Sequence, residues 1–196
     1  MKAHYLALIT VALFHVPTVS AQVRRSAALD AGIGIANGRG GDFVDRGFAG
    51  ARIAVSGVVP VTQNVGLFIG LGYDWSGRPP AHGDLCRIDP GNPGGGCLPS
   101  FPAIRGADLT VGGAAALGST VELRAGLGAG AFSLDGTRLG GVLGEGEVAF
   151  FPVASFGIVA STRTLVIPSY RGDRLSLARW SLGLRLRRSV SHSQRR

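Results

Sequence analysis

The sequence predicts an all-β fold: an eight-stranded antiparallel up-and-down transmembrane β-barrel. Three observations predict it. Apolar residues recur with period two, not 3.6, through eight successive stretches. Each stretch runs about 10–14 residues, whereas soluble strands average ~5–6 and tilted membrane-spanning strands need ~9–11. The connections between them alternate between short and long, which is the loop arrangement of outer-membrane barrels.

The first stretch sets Leu29, Ala31, Ile33 and Ile35 against Asp30, Gly32 and Gly34. The second sets Ala49, Ala51, Ile53 and Val55 against Gly50, Arg52, Ala54 and Ser56. The third is the clearest, with Val65, Leu67, Ile69, Leu71 and Tyr73 on one face and Gly66, Phe68, Gly70, Gly72 and Asp74 on the other. The fourth carries Ala107, Leu109, Val111 and Ala115, alternating with Asp108, Thr110, Gly112 and Ala114. In the fifth, Val121, Leu123, Ala125, Leu127 and Ala129 alternate with Glu122, Arg124 and three glycines. The sixth opposes Val142, Val148 and Phe150 to Glu145, Glu147 and Ala149, and Gly144 and Gly146 thin its apolar face. The seventh opposes Phe156, Ile158 and Ala160 to Gly157, Ser161 and Arg163. The eighth opposes Trp180, Leu182, Leu184 and Leu186 to Arg179, Ser181, Gly183, Arg185 and Arg187. Short connections are expected at 60–64, 118–120 and 152–154, and longer ones at 38–46, 76–101, 133–141 and 168–173. An even strand count puts both termini on one side.

Composition agrees with this class. The 196 residues suit one domain, and 45% apolar content excludes a disordered chain. Only 16% of residues are charged, where ~25% is usual for a soluble domain. Beyond the leader no apolar run approaches ~18 residues, so no transmembrane helix is expected.

Residues 1–21 read as a secretory signal peptide. Lys2 supplies the basic start, residues 6–16 the apolar core, Pro17 the break, and Val19 and Ala21 the small residues before a cut at Gln22. The exported chain is then a barrel over 22–188 followed by a polar tail, 189–196. Of the 20 basic residues all but Lys2 are arginine, against 12 acids. The arginines are dispersed, with no basic helix and no aromatic platform, so nucleic acid is not an expected partner. Anionic lipid headgroups and lipopolysaccharide phosphates are the expected counter-charge.

Alternation alone does not say which face points inward. In a soluble lipocalin-like barrel the second face would have to solvate the surface, yet it is mostly Gly, Ala and Ser. Such residues suit the crowded interior of a narrow eight-stranded barrel, where they make room for a few long side chains. Those expected to form interior ion pairs are Arg52, Glu122, Arg124, Glu145, Glu147, Arg163, Arg179 and Arg185. Glu145 and Glu147 share a face, and a glycosidase-like carboxylate pair is the sharper alternative. The excess of arginine on that face favours ion pairing.

The leader, the eight stretches, and the run Gly66-Leu67-Phe68-Ile69-Gly70-Leu71-Gly72-Tyr73-Asp74 resemble the small eight-stranded outer-membrane β-barrel superfamily, which includes OmpA-like and OmpX-like barrels. The resemblance covers 27–188 and rests on pattern more than on fixed residues. It implies an outer-membrane location with both termini periplasmic. Such barrels usually end on an aromatic residue that signals to the assembly machinery, whereas here Leu184-Arg185-Leu186-Arg187-Arg188 leads into the polar tail. Aromatic girdles are expected from Phe48, Tyr73, Trp75, Phe101, Phe132 and Tyr170 at the outer rim and Phe150, Phe151 and Phe156 at the inner one, with Trp180 out of place in mid-strand.

Cys86 and Cys97 lie in the longest connection, and two cysteines in an exported chain point to a disulfide. The rival, a metal site with His82 and Asp84, matches no ordinary zinc spacing. No metal, cofactor or catalytic residue is expected. Some small outer-membrane barrels resemble Ser–His–acid or Asp–His enzymes, but His82 and His192 are the only histidines past the leader, and neither falls on a strand.

The sequence thus predicts a monomeric, non-catalytic outer-membrane barrel with a structural or surface-interaction role. Its loops would meet lipopolysaccharide or an extracellular ligand, with Arg39, Arg46, Arg78, Arg87, Arg105, Arg138 and Arg171 outward and Arg24, Arg25, Arg187 and Arg188 by the inner leaflet. The alternatives are a narrow porin-like channel and a soluble periplasmic barrel holding an apolar ligand.

Overall fold

Each alternating stretch becomes a strand because period two places every bulky apolar residue on one face of the sheet. The computed structural model describes residues 22–40, 43–76, 87–88, 97–98, 103–134, 136–170 and 172–189. The leader, Cys86, and the tail beyond Ser189 lie outside these residues.

The strands are β1 (Ser26–Gly40), β2 (Phe43–Pro60), β3 (Val65–Ser76), β4 (Arg87–Ile88), β5 (Cys97–Leu98), β6 (Ile104–Leu117), β7 (Val121–Leu134), β8 (Thr137–Val153), β9 (Phe156–Tyr170) and β10 (Asp173–Ser189). Eight of them form a closed barrel in the order β1-β10-β9-β8-β7-β6-β3-β2. Every neighbouring pair is antiparallel, and β1 seals the circuit by pairing with both β2 and β10. Closure leaves no edge with unpaired backbone groups, the condition for a sheet to exist in lipid. The short strands β4 and β5 pair only with each other, and they double the long β3–β6 connection back on itself.

The apolar face points outward. Ile33 and Leu127 are each 73% exposed, and Ile53, Leu67, Leu71, Val111, Leu182 and Leu184 are exposed with them. The charged and small residues line the inside, where Arg185 and Thr110 have no exposure at all. A soluble barrel has the opposite polarity. An outward belt of Leu, Ile and Val is unstable against water and needs an apolar surrounding, such as lipid.

The connections differ from the sequence expectation. At the end bearing the termini the turns are short, at 61–64, 118–120 and 154–155. At the opposite end only the β3–β6 connection is long. The loops expected at 38–46, 133–141 and 168–173 are instead strand continued into tight hairpins. Gly136 and Gly172 adopt φ of +84° and +89°, the left-handed conformation that two-residue hairpin turns require.

The expected aromatic girdle is also partly corrected. Tyr73, Trp75 and Phe150 face outward as girdle residues should. Phe132, Phe151 and Tyr170 are instead buried in the lumen, because each sits at an inward position of its strand and fills the barrel. Phe101 and the side chain of Phe48 lie outside the described residues. Trp180 is exposed in the middle of the belt.

Candidate functional site

The interior is built in layers, and one strand shows them all. Down β8 from its hairpin, the inward residues Leu139, Gly141, Leu143, Glu145, Glu147, Ala149 and Phe151 run from apolar through two charged residues back to apolar. The hairpin end is capped by Ala36, Ile104, Phe132, Leu134, Leu143, Leu165, Ile167, Tyr170, Leu175 and Leu177, packed into one apolar cluster. The turn end is floored by two smaller clusters, one of Val23, Val58, Phe68 and Ala114, the other of Ala149, Phe151 and Val159. Val23 reaches its place because its N–H donates to the Gln63 carbonyl at 2.6 Å, folding the segment before β1 under the barrel.

Between cap and floor lie two charge clusters. In the upper one, Arg52 donates to both oxygens of Asp108, at 2.7 and 3.1 Å, and to Asp74 at 3.1 Å. Arg163 approaches Asp108 at 2.7 Å and Asp74 at 3.2 Å. Arg179 meets Asp74 at 2.5 Å and also donates to the Ala51 carbonyl. Glu145 stands 3.6 Å from Arg163 and 3.9 Å from Arg52, which is ion pairing without a hydrogen bond. Three carboxylates thus face three guanidinium groups.

The lower cluster repeats that balance. Arg185 holds Asp30 through Nε at 2.5 Å and Nη2 at 3.2 Å, Glu147 at 2.5 Å and Glu122 at 3.2 Å. Arg124 donates to Glu122 at 2.7 Å and to Ser56 at 2.9 Å. Arg187 reaches Glu122 at 3.1 Å from the rim. Two of these cations also stack on the floor, Arg124 over Phe68 at 5.4 Å and Arg187 over Phe151 at 3.8 Å. A void of about 10 Å³ lies among Asp74, Ser76, Ile104, Arg163, Leu165, Leu177 and Arg179, room for about one water.

The structure therefore brings Arg52, Glu145, Arg163 and Arg179 together in one cluster and Glu122, Arg124, Glu147 and Arg185 in the other. Glu145 and Glu147 lie in different clusters, each facing arginine, and form no isolated carboxylate pair. Sequence reasoning missed Asp30, Asp74, Asp108 and Arg187. Its eight residues hold five arginines and three glutamates, and that imbalance was the signal. The missing carboxylates sit on the same small-residue faces. Cys86 lies outside the described residues, while the β4–β5 pairing sets the backbone of Cys97 opposite Ile88. Among the described residues no group of three His, Cys, Asp or Glu side chains is placed to hold a metal ion.

The outer wall carries a second feature. Trp75, Arg105, Ser133 and Arg138 occupy one register row across β3, β6, β7 and β8, on the outward face near the hairpin end. Toward the belt below Arg105, a trough of about 360 Å³ is lined by Ala51, Ile53, Tyr73 and Trp75.

Comparison with known proteins agrees on the architecture. No protein-family model matches the chain, and no curated protein matches it by sequence. Among solved structures it is similar to Ail, the attachment invasion locus protein of Yersinia pestis, with a TM-score of 0.51 at 15% identity, covering 85% of this chain and all of that one. It is also similar to Neisserial surface protein A, with a TM-score of 0.52 at 12% identity, covering 82% of this chain and 96% of that one. At such identities the likeness is one of fold: the small, closed, eight-stranded barrel of outer-membrane proteins.

Proposed function

We propose that this chain, which has the fold of the small outer-membrane β-barrels, resides in the outer membrane and acts through its hairpin-end surface, with a structural or surface-interaction role and without catalysis. The observation that carries this reading is the closed interior inside an outward apolar belt. Six carboxylates and six guanidinium groups neutralise one another there, and apolar layers close both ends. A lumen spent on internal pairing leaves the outer surface and the β3–β6 connection as the places where partners can be met. The partners proposed are outer-membrane lipid, lipopolysaccharide and an extracellular ligand, approached by a monomeric barrel; nucleic acid is not among them.

The narrow channel has less support. An ion crossing the barrel would have to displace the Phe132–Leu134–Ile167 cap and then part salt bridges of 2.5–2.7 Å. The soluble ligand carrier has less again, since its apolar face would point at water.

Two measurements test the proposal. Refolded into detergent micelles, the chain should migrate differently on SDS gels before and after boiling, and it should fail to fold in plain buffer. In planar bilayers the folded protein should show no unitary conductance steps. A detergent-independent monomer overturns the membrane reading, and steady single-channel steps overturn the closed interior.

A further inference from the structure

The network leaves a definite pattern outside it. Asp30, Asp74, Asp108 and all three glutamates of the chain are consumed in the lumen. Arg105 and Arg138 face outward, both exposed, and neither has a carboxylate partner among the described residues. They flank Ser133 in one register row, so their backbones stand about 10 Å apart, two strand spacings. Two guanidinium groups at that spacing, with a hydroxyl between them, fit around a single tetrahedral anion. Trp75 adjoins Arg105 in the same row, and the apolar trough beside Ile53 and Tyr73 opens toward the belt.

We propose that Arg105, Ser133 and Arg138 form a headgroup site for a phosphorylated glycolipid of the outer leaflet, with one acyl chain in the trough lined by Ile53, Tyr73 and Trp75. The inference rests on the outer-membrane reading above and adds the chemistry of the lipid. The choice follows from charge. A phosphate monoester carries about two negative charges, as a phosphorylated side chain does, and two arginines match it. A phosphodiester, as in phosphatidylglycerol, carries only one. The trough supplies the apolar half, so the lipid is held by its phosphate and its chain together. An indole at the headgroup level, apolar ring toward lipid and N–H toward water, completes the interface.

The chain has two tryptophans, Trp75 and Trp180, which makes the site directly readable. A Trp180→Phe variant refolded in zwitterionic micelles leaves Trp75 as the sole reporter. Titration with lipid A should change its emission saturably. The same lipid with its phosphates removed, and phosphatidylglycerol, should require at least tenfold more for the same change. Arg105→Ala with Arg138→Ala should weaken the response at least tenfold, whereas Arg24→Ala with Arg25→Ala, at the other end, should leave it intact. Should the double alanine variant fail to fold, Ser133→Glu keeps both arginines and fills the site with a carboxylate; it too should abolish the response. Equal responses to the dephosphorylated lipid or to phosphatidylglycerol, or an unchanged response in Ser133→Glu, overturn the site. A folded, detergent-dependent barrel without the phosphate effect sinks this site alone, while a chain that folds without detergent sinks the membrane reading beneath it.

Discussion

Arg185 and Glu147 meet at 2.5 Å in the middle of the barrel, and the arginine side chain has no exposure to the outside. One guanidinium group on β10 thereby ties together β1 through Asp30, β7 through Glu122 and β8 through Glu147. The pair does more than neutralise charge. It joins strands that are not neighbours, across a lumen too narrow to hold a conventional apolar core. Burial makes such a contact costly to break, because the partner left behind stays charged and dehydrated.

Removing one member should therefore cost far more than a surface ion pair. Arg185→Met leaves three carboxylates facing only Arg124 and Arg187, and should lower folding stability by ~3–5 kcal/mol. Glu147→Gln, which leaves Arg185 with two carboxylates, should cost less. Combining the two should recover part of the loss, a coupling that urea titration in micelles reads directly as a double-mutant cycle.

Arg52 gives the second prediction. Its guanidinium lies flat against the wall at Gly72, where an added Cβ would fall 2.3 Å from Cζ. The end of an arginine is ordinarily free to move aside, but this one is pinned by Asp74 and Asp108. Gly72→Ala should cost about 1–3 kcal/mol, the usual price of overpacking. Gly140→Ala, with open space at the Cβ position, should be close to neutral. Equal effects at both positions would show that the arginine yields without loss.

The contrast between what the sequence disclosed and what it hid has a physical cause. Where one face is small and the other bulky, as in β3, period two exposes both strand and orientation. Along β9 both faces become apolar at the cap. Leu165-Val166-Ile167 places two side chains in the lumen and leaves Val166 outside, and the alternation disappears from the sequence although the strand continues. The hairpins at 38–46, 133–141 and 168–173 look like loops because Gly, Asp and Arg gather at their tips and interrupt the alternation on both faces. The turn signals were nonetheless present, in Asp135-Gly136 and Arg171-Gly172. The carboxylates of Asp30, Asp74 and Asp108 stood on the right faces, but nothing local separates a buried aspartate from one at a strand end. Only the pairing of β3 with both β2 and β6 brings Asp108 to Arg52, 56 positions away.

The β3–β6 connection yields the third prediction. The β4–β5 pairing sets Arg87 opposite Leu98 and Ile88 opposite Cys97, and Cys86 directly precedes Arg87 in the sequence. Peptide mapping without reductant should recover Cys86 linked to Cys97. Closing so short a loop constrains the chain by roughly 3 kcal/mol in the entropy model, and the gain is local to the connection. Replacing both cysteines by serine should therefore hasten proteolysis within 77–103 and leave the boiling-dependent mobility of the barrel unchanged. A loss of that mobility shift would mean that the loop, and not the strands, holds the barrel closed.

The last prediction separates lipid from water at the outer wall. Leu127 sits at the middle of β7, outward and 73% exposed, whereas Leu117 closes β6 at the turn end, outward and 44% exposed. In water, leucine to arginine at either exposed position would change stability by no more than about 0.5 kcal/mol. In a bilayer the cost depends on depth. Arginine at the midplane of a membrane barrel costs ~2–4 kcal/mol and near the interface ~0–1. Leu127→Arg should therefore be strongly destabilising and Leu117→Arg nearly silent when both are unfolded by urea from lipid vesicles. The interior network is remote from both side chains, so the difference reports only what lies outside the wall. If Leu127→Arg proves as harmless as Leu117→Arg, the belt faces water, and the outward leucines, isoleucines and valines need another protein surface to cover them.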